Sequence, residues 1–424
     1  MIYKRVVSLP PSLVRSVGDI VRKMSSGRYQ VFVTRSDMPK SGMDLLRKEC
    51  VIIVFFSFYM WYQNFVLLQF NLIINVLRII EGLYLFIYKV CTSRSIIMSV
   101  LEISYNRLCK NCININKGNE TINNEVKWYK LWDHSSTAST EDFLKALVGT
   151  NAIFCSLTNK IDKALLDAAG PGLKVVATIS VGIDHIDVPE CRKRGIKIGY
   201  TPDVLTDATA ELTLALLLST SRRLPEAQHE ARSGGWVAWA PTWLTGPGLA
   251  GATVGIVGFG RIGQAVARRV KAFNTKKILY ANRSERPEAK DIGAIKVSFD
   301  ELLAQSDFVI CCAALVPESK EMFNKSAFEK MKNTAIFVNT SRGGTVDQDA
   351  LIEALQNNTI RAAGLDVTTP EPLPLDSPLF KLPNCVVLPH IGSAAIETRN
   401  TMSELTANNI LAALKGCEMP AELK

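Results

Sequence analysis

TVGIVGFGRIGQAVARRVKAF, residues 253–273, decides the fold. It opens on a short apolar, β-branched run of the length of a buried strand. Three glycines follow at GxGxxG spacing, Gly258, Gly260 and Gly263, and the rest alternates apolar and basic residues with a helical period. A bare GxGxxG is weak, because glycines are common. Between a strand and an amphipathic helix it reads as the phosphate-binding turn of a dinucleotide-binding domain. Gly258 then makes the tight turn, Gly260 lets backbone approach a pyrophosphate, and Gly263 lets helix and strand pack closely. The helix N-terminus supplies free N–H groups and positive potential.

Working outward, apolar strand signals recur at KILYA, FVICCA, AIFVNT, AGLDV and CVVLPH, separated by helical stretches. Upstream, LKVVATIS (173–180) and IKIGYT (196–201) read as strands, and 206–222 as a helix opened by a Thr/Asp cap with an apolar face. Strands alternating with helices give a parallel, doubly wound α/β sheet.

The stretch ILYANRSERPEAK, 278–290, follows the second strand, where an acidic residue normally holds the ribose hydroxyls of NAD. Here Arg283, Ser284 and Arg286 stand instead, and guanidinium groups grip a 2′-phosphate through charge-assisted hydrogen bonds. The loop therefore favours NADPH over NADH. The plainer alternative is a solvated loop whose charge Glu285 and Glu288 offset.

Three further residues fall at strand ends, where such a sheet presents its ligand: Arg342 in VNTSRGGTV, Glu371 in LDVTTPEPLP and His390 in VVLPHIGS. A carboxylate beside an imidazole favours its charged form, a proton donor near neutral pH. An arginine beside the pair clamps a carboxylate and polarises a carbonyl. Spacing alone does not bring the three together, and each alone also fits a structural ion pair.

The stretches GIVGFGRIG, NTSRGGTVDQDAL, AAGLDVTTPEPLP and LPHIGSAAIETRNTM, with ISVGIDHI, YTPDVLTD and RRLPEA, resemble the D-isomer-specific 2-hydroxyacid dehydrogenases, and most nearly their glyoxylate- and hydroxypyruvate-reducing branch. The likeness covers about 28–50 and 128–424. It implies two doubly wound parallel-sheet domains: a Rossmann NADP-binding domain over 203–392 and a smaller flavodoxin-like substrate-binding domain over 28–202, to which 393–424 returns. It also implies reduction of a small 2-keto acid, hydroxypyruvate to D-glycerate or glyoxylate to glycolate. His390 matches the proton donor, Glu371 the acid that orients it, and Arg342 the substrate clamp. Val181 and Gly182 match the amides that hold the substrate carboxylate. Gly260, Arg261 and Ile262 match the pyrophosphate turn. Asp366 matches the residue near the nicotinamide, and Thr340 and Gly392 complete the cofactor set. Members of this type pair as homodimers, and GGWVAWAPTWL, 234–244, lies where a partner would be reached. Trp239 then lines the partner's site; buried core tryptophans are the alternative.

Charge and composition bound the rest. Residues 1–130 hold 18 of the 49 Lys and Arg but 8 of the 40 Asp and Glu, so the basicity belongs to the first third and no nucleic-acid partner is expected. Ten scattered cysteines make no disulfide framework, and Cys109–Cys112 lacks a second pair to complete a zinc site, so no metal is expected. Reduced thiols fit the cytoplasm. Residues 1–27 read either as a mitochondrial presequence, with Arg5, Arg15 and Arg22 against one acid, or as an untidy leader.

The segment 51–126 is the anomaly. Residues 51–77 carry no charge, the length and hydropathy of a membrane span, yet they interrupt one sheet after its first strand. Rich in Phe, Ile, Asn, Lys, Tyr and Leu, most of 51–126 reads as translated non-coding sequence, with a membrane anchor or a hydrophobic or disordered insertion as alternatives. Two rival functions share the fold: a dinucleotide-sensing transcriptional corepressor, which keeps an acid where Arg283 stands, and an NAD-linked phosphoglycerate dehydrogenase.

Overall fold

Two parallel sheets carry the chain in the computed structural model, which describes residues 30–34, 38–49, 51–54, 128–131 and 140–424. The leader 1–27, the bulk of the 51–126 segment and Cys109–Cys112 lie outside the described residues. The first sheet uses β1 (Gln30–Val33), β2 (Val51–Val54), β3 (Trp128–Leu131), β4 (Ala152–Cys155), β5 (Val175–Thr178) and β6 (Lys197–Gly199), in the order β2-β3-β1-β4-β5-β6. The second uses β7 (Thr253–Val257), β8 (Lys277–Ala281), β9 (Ala294–Lys296), β10 (Phe308–Cys311), β11 (Ile336–Asn339), β12 (Ala362–Leu365) and β13 (Cys385–Val387), in the order β13-β12-β11-β10-β7-β8-β9. In both, the chain starts near the middle of the sheet and its later strands wind outward on either side, except that in the first sheet β2 takes the outer edge before β3 is laid beside β1.

Five helices matter below: α1 (Lys40–Glu49), α2 (Thr206–Ser221), α3 (Leu224–Ser233), α4 (Arg261–Lys271) and α5 (Ile396–Lys415). Helix α4 buries Gly263, Ala265, Val266, Ala267 and Val270 and leaves Arg268, Arg269 and Lys271 in its last turn, where cations suit the helix dipole. Helix α5 leaves the second sheet and packs on the first. Its Met402, Ala407, Ile410 and Leu411 share a core with Val31, Phe154 and Val175. Burying an Ile or Leu side chain of this kind contributes about 1.5–3 kcal/mol. The hinge between the sheets is sealed by Ile262, which packs against the cores of both.

Two expectations change in detail. Helix α2 begins at Thr206 without any side-chain cap; Asp207 lies inside its first turn and pairs with Arg269 of α4 at 2.9 Å. Its apolar face is as expected but broad: Asp207, Glu211 and Ala215 form one exposed stripe, and Ala208, Thr213, Leu214, Leu217 and Ser221 lie on the remaining arc, which packs on the second sheet and α4. Across the anomalous segment, β1 pairs directly with β3, Gln30 opposite Trp128 through Val33 opposite Leu131. The sheet therefore closes over the interruption. The segment's first residues, Val51–Val54, add an outermost strand beside β3. Among the described residues no helix is long and apolar enough to cross a membrane, and no three His, Cys, Asp or Glu side chains gather to hold a metal ion.

Candidate active site

The fingerprint turn has the geometry its glycines require. Gly258 sits at φ 89°, a conformation that only glycine adopts without cost, and a Cβ there would lie 2.6 Å from the Ala313 amide nitrogen. A Cβ on Gly263 would come 2.2 Å from the Gly258 carbonyl oxygen, so the helix meets the turn backbone to backbone. A Cβ on Gly260 would meet nothing within 4 Å. The open side of the turn at the N-terminus of α4 thus fits a pyrophosphate. Arg261 points outward and pairs with Asp203, beside the hinge.

The loop after β8 is held to this turn by Asn282, whose Oδ1 accepts from the Phe259 amide at 3.3 Å and whose Nδ2 donates to the Ser284 carbonyl at 2.9 Å. Phe259 stacks on Tyr280 with ring centroids 4.2 Å apart, and the Tyr280 hydroxyl accepts from the Arg286 amide. Arg283 and Ser284 are exposed. Arg286 is part-buried, and its Nε is buried without a partner among the described residues.

At the far strand ends the structure brings Glu371 and His390 together. His390 Nδ1 lies 2.8 Å from Glu371 Oε2, while Glu371 Oε1 accepts from the Thr368 amide at 3.0 Å. Burial alone would raise the Glu371 carboxyl. The hydrogen bond and charge of His390, the Thr368 amide and the Arg342 charge outweigh it and hold the carboxyl below its ordinary value. With one imidazole nitrogen tied to a carboxylate, Nε2 is left to face a ligand.

Asp366 fixes that imidazole from behind. It is 1% exposed, and three successive amides converge on it: His390 N–H on its carbonyl at 2.9 Å, and Ile391 and Gly392 N–H on its two carboxylate oxygens at 2.8 Å each. This harness sustains His390 at φ 54°, a left-handed conformation uncommon for a residue with a side chain. The Asp366 carboxylate and the Gly392 amide are thereby committed to each other. Thr340 is likewise buried, its hydroxyl 2.7 Å from that of Thr213 on α2.

Arg342 joins the same cleft. Its loop abuts the Glu371 loop, since a Cβ on the next residue, Gly343, would lie 2.0 Å from the Thr368 carbonyl oxygen. The Arg342 carbonyl accepts from Asn339 Nδ2 at 3.0 Å and Thr345 Oγ1 at 2.7 Å. Its guanidinium crosses to the first sheet's loop, donating from Nε to Asp184 Oδ1 at 3.0 Å and lying against Gly182, where a Cβ would fall 1.8 Å from Nη2. Gly182 thus borders the guanidinium, with Val181 next to it in the chain. Asp184 and Asn339 were not among the candidates. Asp184 could have been singled out as a carboxylate on a strand-end loop, but a buried Asn gives no such signal.

Trp239 does not meet this cluster within the chain, and it is not core: Trp239 is 81% exposed and Trp236 64%. The buried-tryptophan alternative is therefore wrong for both. The arm they stand on follows α3, which buries none of its residues.

Comparison with known proteins now places the chain. Residues 214–392 match the model of the D-isomer specific 2-hydroxyacid dehydrogenase NAD binding domain. The glyoxylate reductase/hydroxypyruvate reductase of Homo sapiens is 54% identical over 294 residues, 69% of this chain and 90% of that protein. The glyoxylate reductase of Thermococcus kodakarensis is 46% identical over 299 residues, 69% of this chain and 89% of its own. Among solved structures, an NADPH-dependent glyoxylate/hydroxypyruvate reductase of Sinorhizobium meliloti, in complex with NADP and malonate, superposes with a TM-score of 0.62 at 33% identity, covering 70% of this chain and 90% of that one. The fingerprint turn and the strand-end residues all fall in the shared part, and the chain belongs to the D-isomer specific 2-hydroxyacid dehydrogenases, oxidoreductases with a nicotinamide dinucleotide cofactor.

Proposed function

We propose that this protein reduces small 2-keto acids, hydroxypyruvate to D-glycerate and glyoxylate to glycolate, with NADPH as the preferred cofactor. The observation that carries the reading is the His390–Glu371 pair at 2.8 Å with the Arg342 guanidinium in the same cleft. That set holds a carboxylate, polarises a carbonyl beside it and delivers one proton. Names borne by the relatives, among them the human and Thermococcus kodakarensis reductases, agree with it.

A bound reduced nicotinamide supplies the hydride to C2 of the keto acid. Everything else falls to the chain's own side chains. Arg342 binds the substrate carboxylate and neutralises charge growing on the keto oxygen, with the Val181 and Gly182 amides closing on the carboxylate from the first sheet. His390 donates the proton from Nε2 to that oxygen, and Glu371 keeps the ring oriented through its contact with Nδ1. Closure of the two sheets' loops excludes water from the cleft.

Gly258, Gly260, Arg261, Ile262 and Gly263 hold the pyrophosphate, and Arg283, Ser284 and Arg286 the 2′-phosphate. Arg283 and Ser284 are exposed and Arg286 is part-buried on a loop that Asn282 ties to the pyrophosphate turn, a placement that supports the phosphate reading. The Sinorhizobium meliloti neighbour was solved with NADP. Thr340, Asp366 and Gly392 line the cofactor's side of the cleft, with the Thr340 hydroxyl, the Asp366 carboxylate and the Gly392 amide already engaged within the chain.

We infer further that two copies pair through the exposed arm bearing Trp236 and Trp239, with Trp239 lining the partner's cleft. The substrate domain is 28–202, the dinucleotide domain 203–392, and 393–424 the return. The free thiols of Cys155, Cys191, Cys311, Cys312, Cys385 and Cys417 accord with a cytoplasmic protein.

The test is turnover of hydroxypyruvate followed by loss of NADPH or NADH absorbance at about 340 nm. Charge-assisted contacts of two arginines to a phosphate are each worth about 1.5–3 kcal/mol, so kcat/KM with NADPH exceeds that with NADH by tenfold or more. Preference for NADH overturns the phosphate assignment and favours the NAD-linked relatives. Turnover below about 1 s⁻¹ with either cofactor favours the corepressor.

A further inference from the structure

We propose that Asp184 is a positioning residue for the substrate clamp: from the first sheet's loop it fixes the Arg342 guanidinium so that the terminal nitrogens face the keto acid. The inference rests on the reading of Arg342 as that clamp.

The guanidinium has five N–H donors in a rigid fork, and which edge meets a ligand depends on what holds the others. Asp184 Oδ1 takes Nε at 3.0 Å, and the Ser341 carbonyl takes one Nη1 proton at 2.9 Å. The two Nη2 protons and the second Nη1 proton remain, the edge that engages a carboxylate bidentately. Nη2 lies against the Gly182 backbone, in space that any side chain at 182 would fill. One short loop therefore supplies both the Val181 and Gly182 amides and the anchor that aims the arginine.

Both ends of the contact are held. On the Asp184 side a chain of polar groups closes the loop on itself: Ser180 Oγ donates to the Gly182 carbonyl at 2.7 Å, Thr178 Oγ1 lies 2.9 Å from Ser180 Oγ, and His185 Nε2 lies 3.0 Å from Thr178 Oγ1. Burial, reinforced by the Arg342 charge and opposed by Asp184, lowers His185 to about 4, so it is neutral near pH 7 and sets no second cation beside the clamp. On the other side Asn339 and Thr345 hold the Arg342 carbonyl. An exposed ion pair contributes little, chiefly because two free side chains must be ordered to make it. Here both loops are fixed in advance, and the side chains are 21% and 32% exposed.

The test uses the full chain with Asp184→Ala, Asp184→Asn and, as reference, Arg342→Ala. The readouts are KM for hydroxypyruvate at saturating NADPH, KM for NADPH, and the inhibition constant of oxamate, a non-reacting mimic of a 2-keto acid. For Asp184→Ala the expected result is a rise of about tenfold in the first and third, about 1.4 kcal/mol, with KM for NADPH within about twofold of wild type. Asp184→Asn, which keeps an oxygen at the same place, recovers most of the loss. If Arg342→Ala abolishes turnover while Asp184→Ala leaves hydroxypyruvate and oxamate within about twofold, the positioning role is overturned and the clamp reading stands. If Arg342→Ala leaves turnover intact, the clamp reading itself fails. A parallel loss of NADPH affinity in Asp184→Ala marks a general structural effect and also overturns the proposal.

Discussion

Asp366 shows how much of the chemistry depends on a residue that touches no substrate. Its carbonyl and both carboxylate oxygens are spent on the amides of His390, Ile391 and Gly392. Burial pushes its carboxyl above the ordinary value, and the two amides and the His390 charge pull it only partly back. Asp366→Asn keeps the shape but turns an amide nitrogen toward one of those N–H groups. Leaving the Ile391 or Gly392 amide unsatisfied costs about 1–3 kcal/mol and loosens the turn that follows His390. Expected are a kcat reduced by tenfold or more, a KM for NADPH near wild type, and a lower denaturant midpoint. An unchanged kcat with a raised KM for NADPH would instead show that the Asp366 side chain holds the cofactor itself rather than the His390 turn. His390, Glu371 and Arg342 were legible in the sequence because each is a charged or titratable residue ending an apolar strand. Asp184 carries a similar signal, a carboxylate on a strand-end loop, but its role was not legible, because its partner lies 158 positions away and only the folded cleft brings them together.

At the scale of an element, the strand–turn–helix at 253–271 was read almost whole, since its glycines and periodicity are local signals. Strand β9 was missed: it is three residues long at the sheet edge, with Ile295 51% exposed, so it lacks the apolar run that marks an inner strand. The cap expected at Thr206 failed because the helix begins one residue earlier, with Leu205 at the cap position, so Thr206 and Asp207 lie inside the first turn and Asp207 pairs with Arg269 instead. The turn also allows its glycines to be told apart by experiment. Gly263→Ala drives a methyl onto the Gly258 carbonyl, 2.2 Å away, and overpacking of this kind costs about 1–3 kcal/mol of stability. Gly260→Ala has φ −78° and open space, so its unfolding free energy stays within about 0.5 kcal/mol of wild type. Its methyl does intrude where the pyrophosphate is to lie, so NADPH affinity by fluorescence titration falls by about tenfold or more. Equal effects of the two substitutions on stability would contradict the division of roles.

For the whole molecule, the interruption after α1 is the feature on which composition and topology bear together. Composition marked 51–126 as foreign to the sheet, and the register agrees to this extent: β3 lies against β1, and β1 against β4, with every pairing of β1 and of β4 to β6 made by residues outside the segment. What the segment adds is β2, on the outer side of β3. Removing 51–126 joins the end of α1 to β3 through the short connection typical of an αβ unit, and the remaining order β3-β1-β4-β5-β6 is still a doubly wound sheet. Helix α5 and α1 keep their shared core with β1, β4 and β5. The loop bearing Val181, Gly182 and Asp184 follows β5, two strands from β1, so the cleft stands on elements the deletion does not touch. The shortened chain is therefore expected to unfold in one cooperative step for the first sheet and to turn over hydroxypyruvate with kcat/KM within about threefold of the full chain, a difference of roughly 0.7 kcal/mol. Circular dichroism melts and the NADPH-coupled assay on the two chains decide it. A shortened chain that aggregates or loses more than tenfold in kcat/KM, about 1.4 kcal/mol, would show that the edge strand β2 is needed to hold β3 in place.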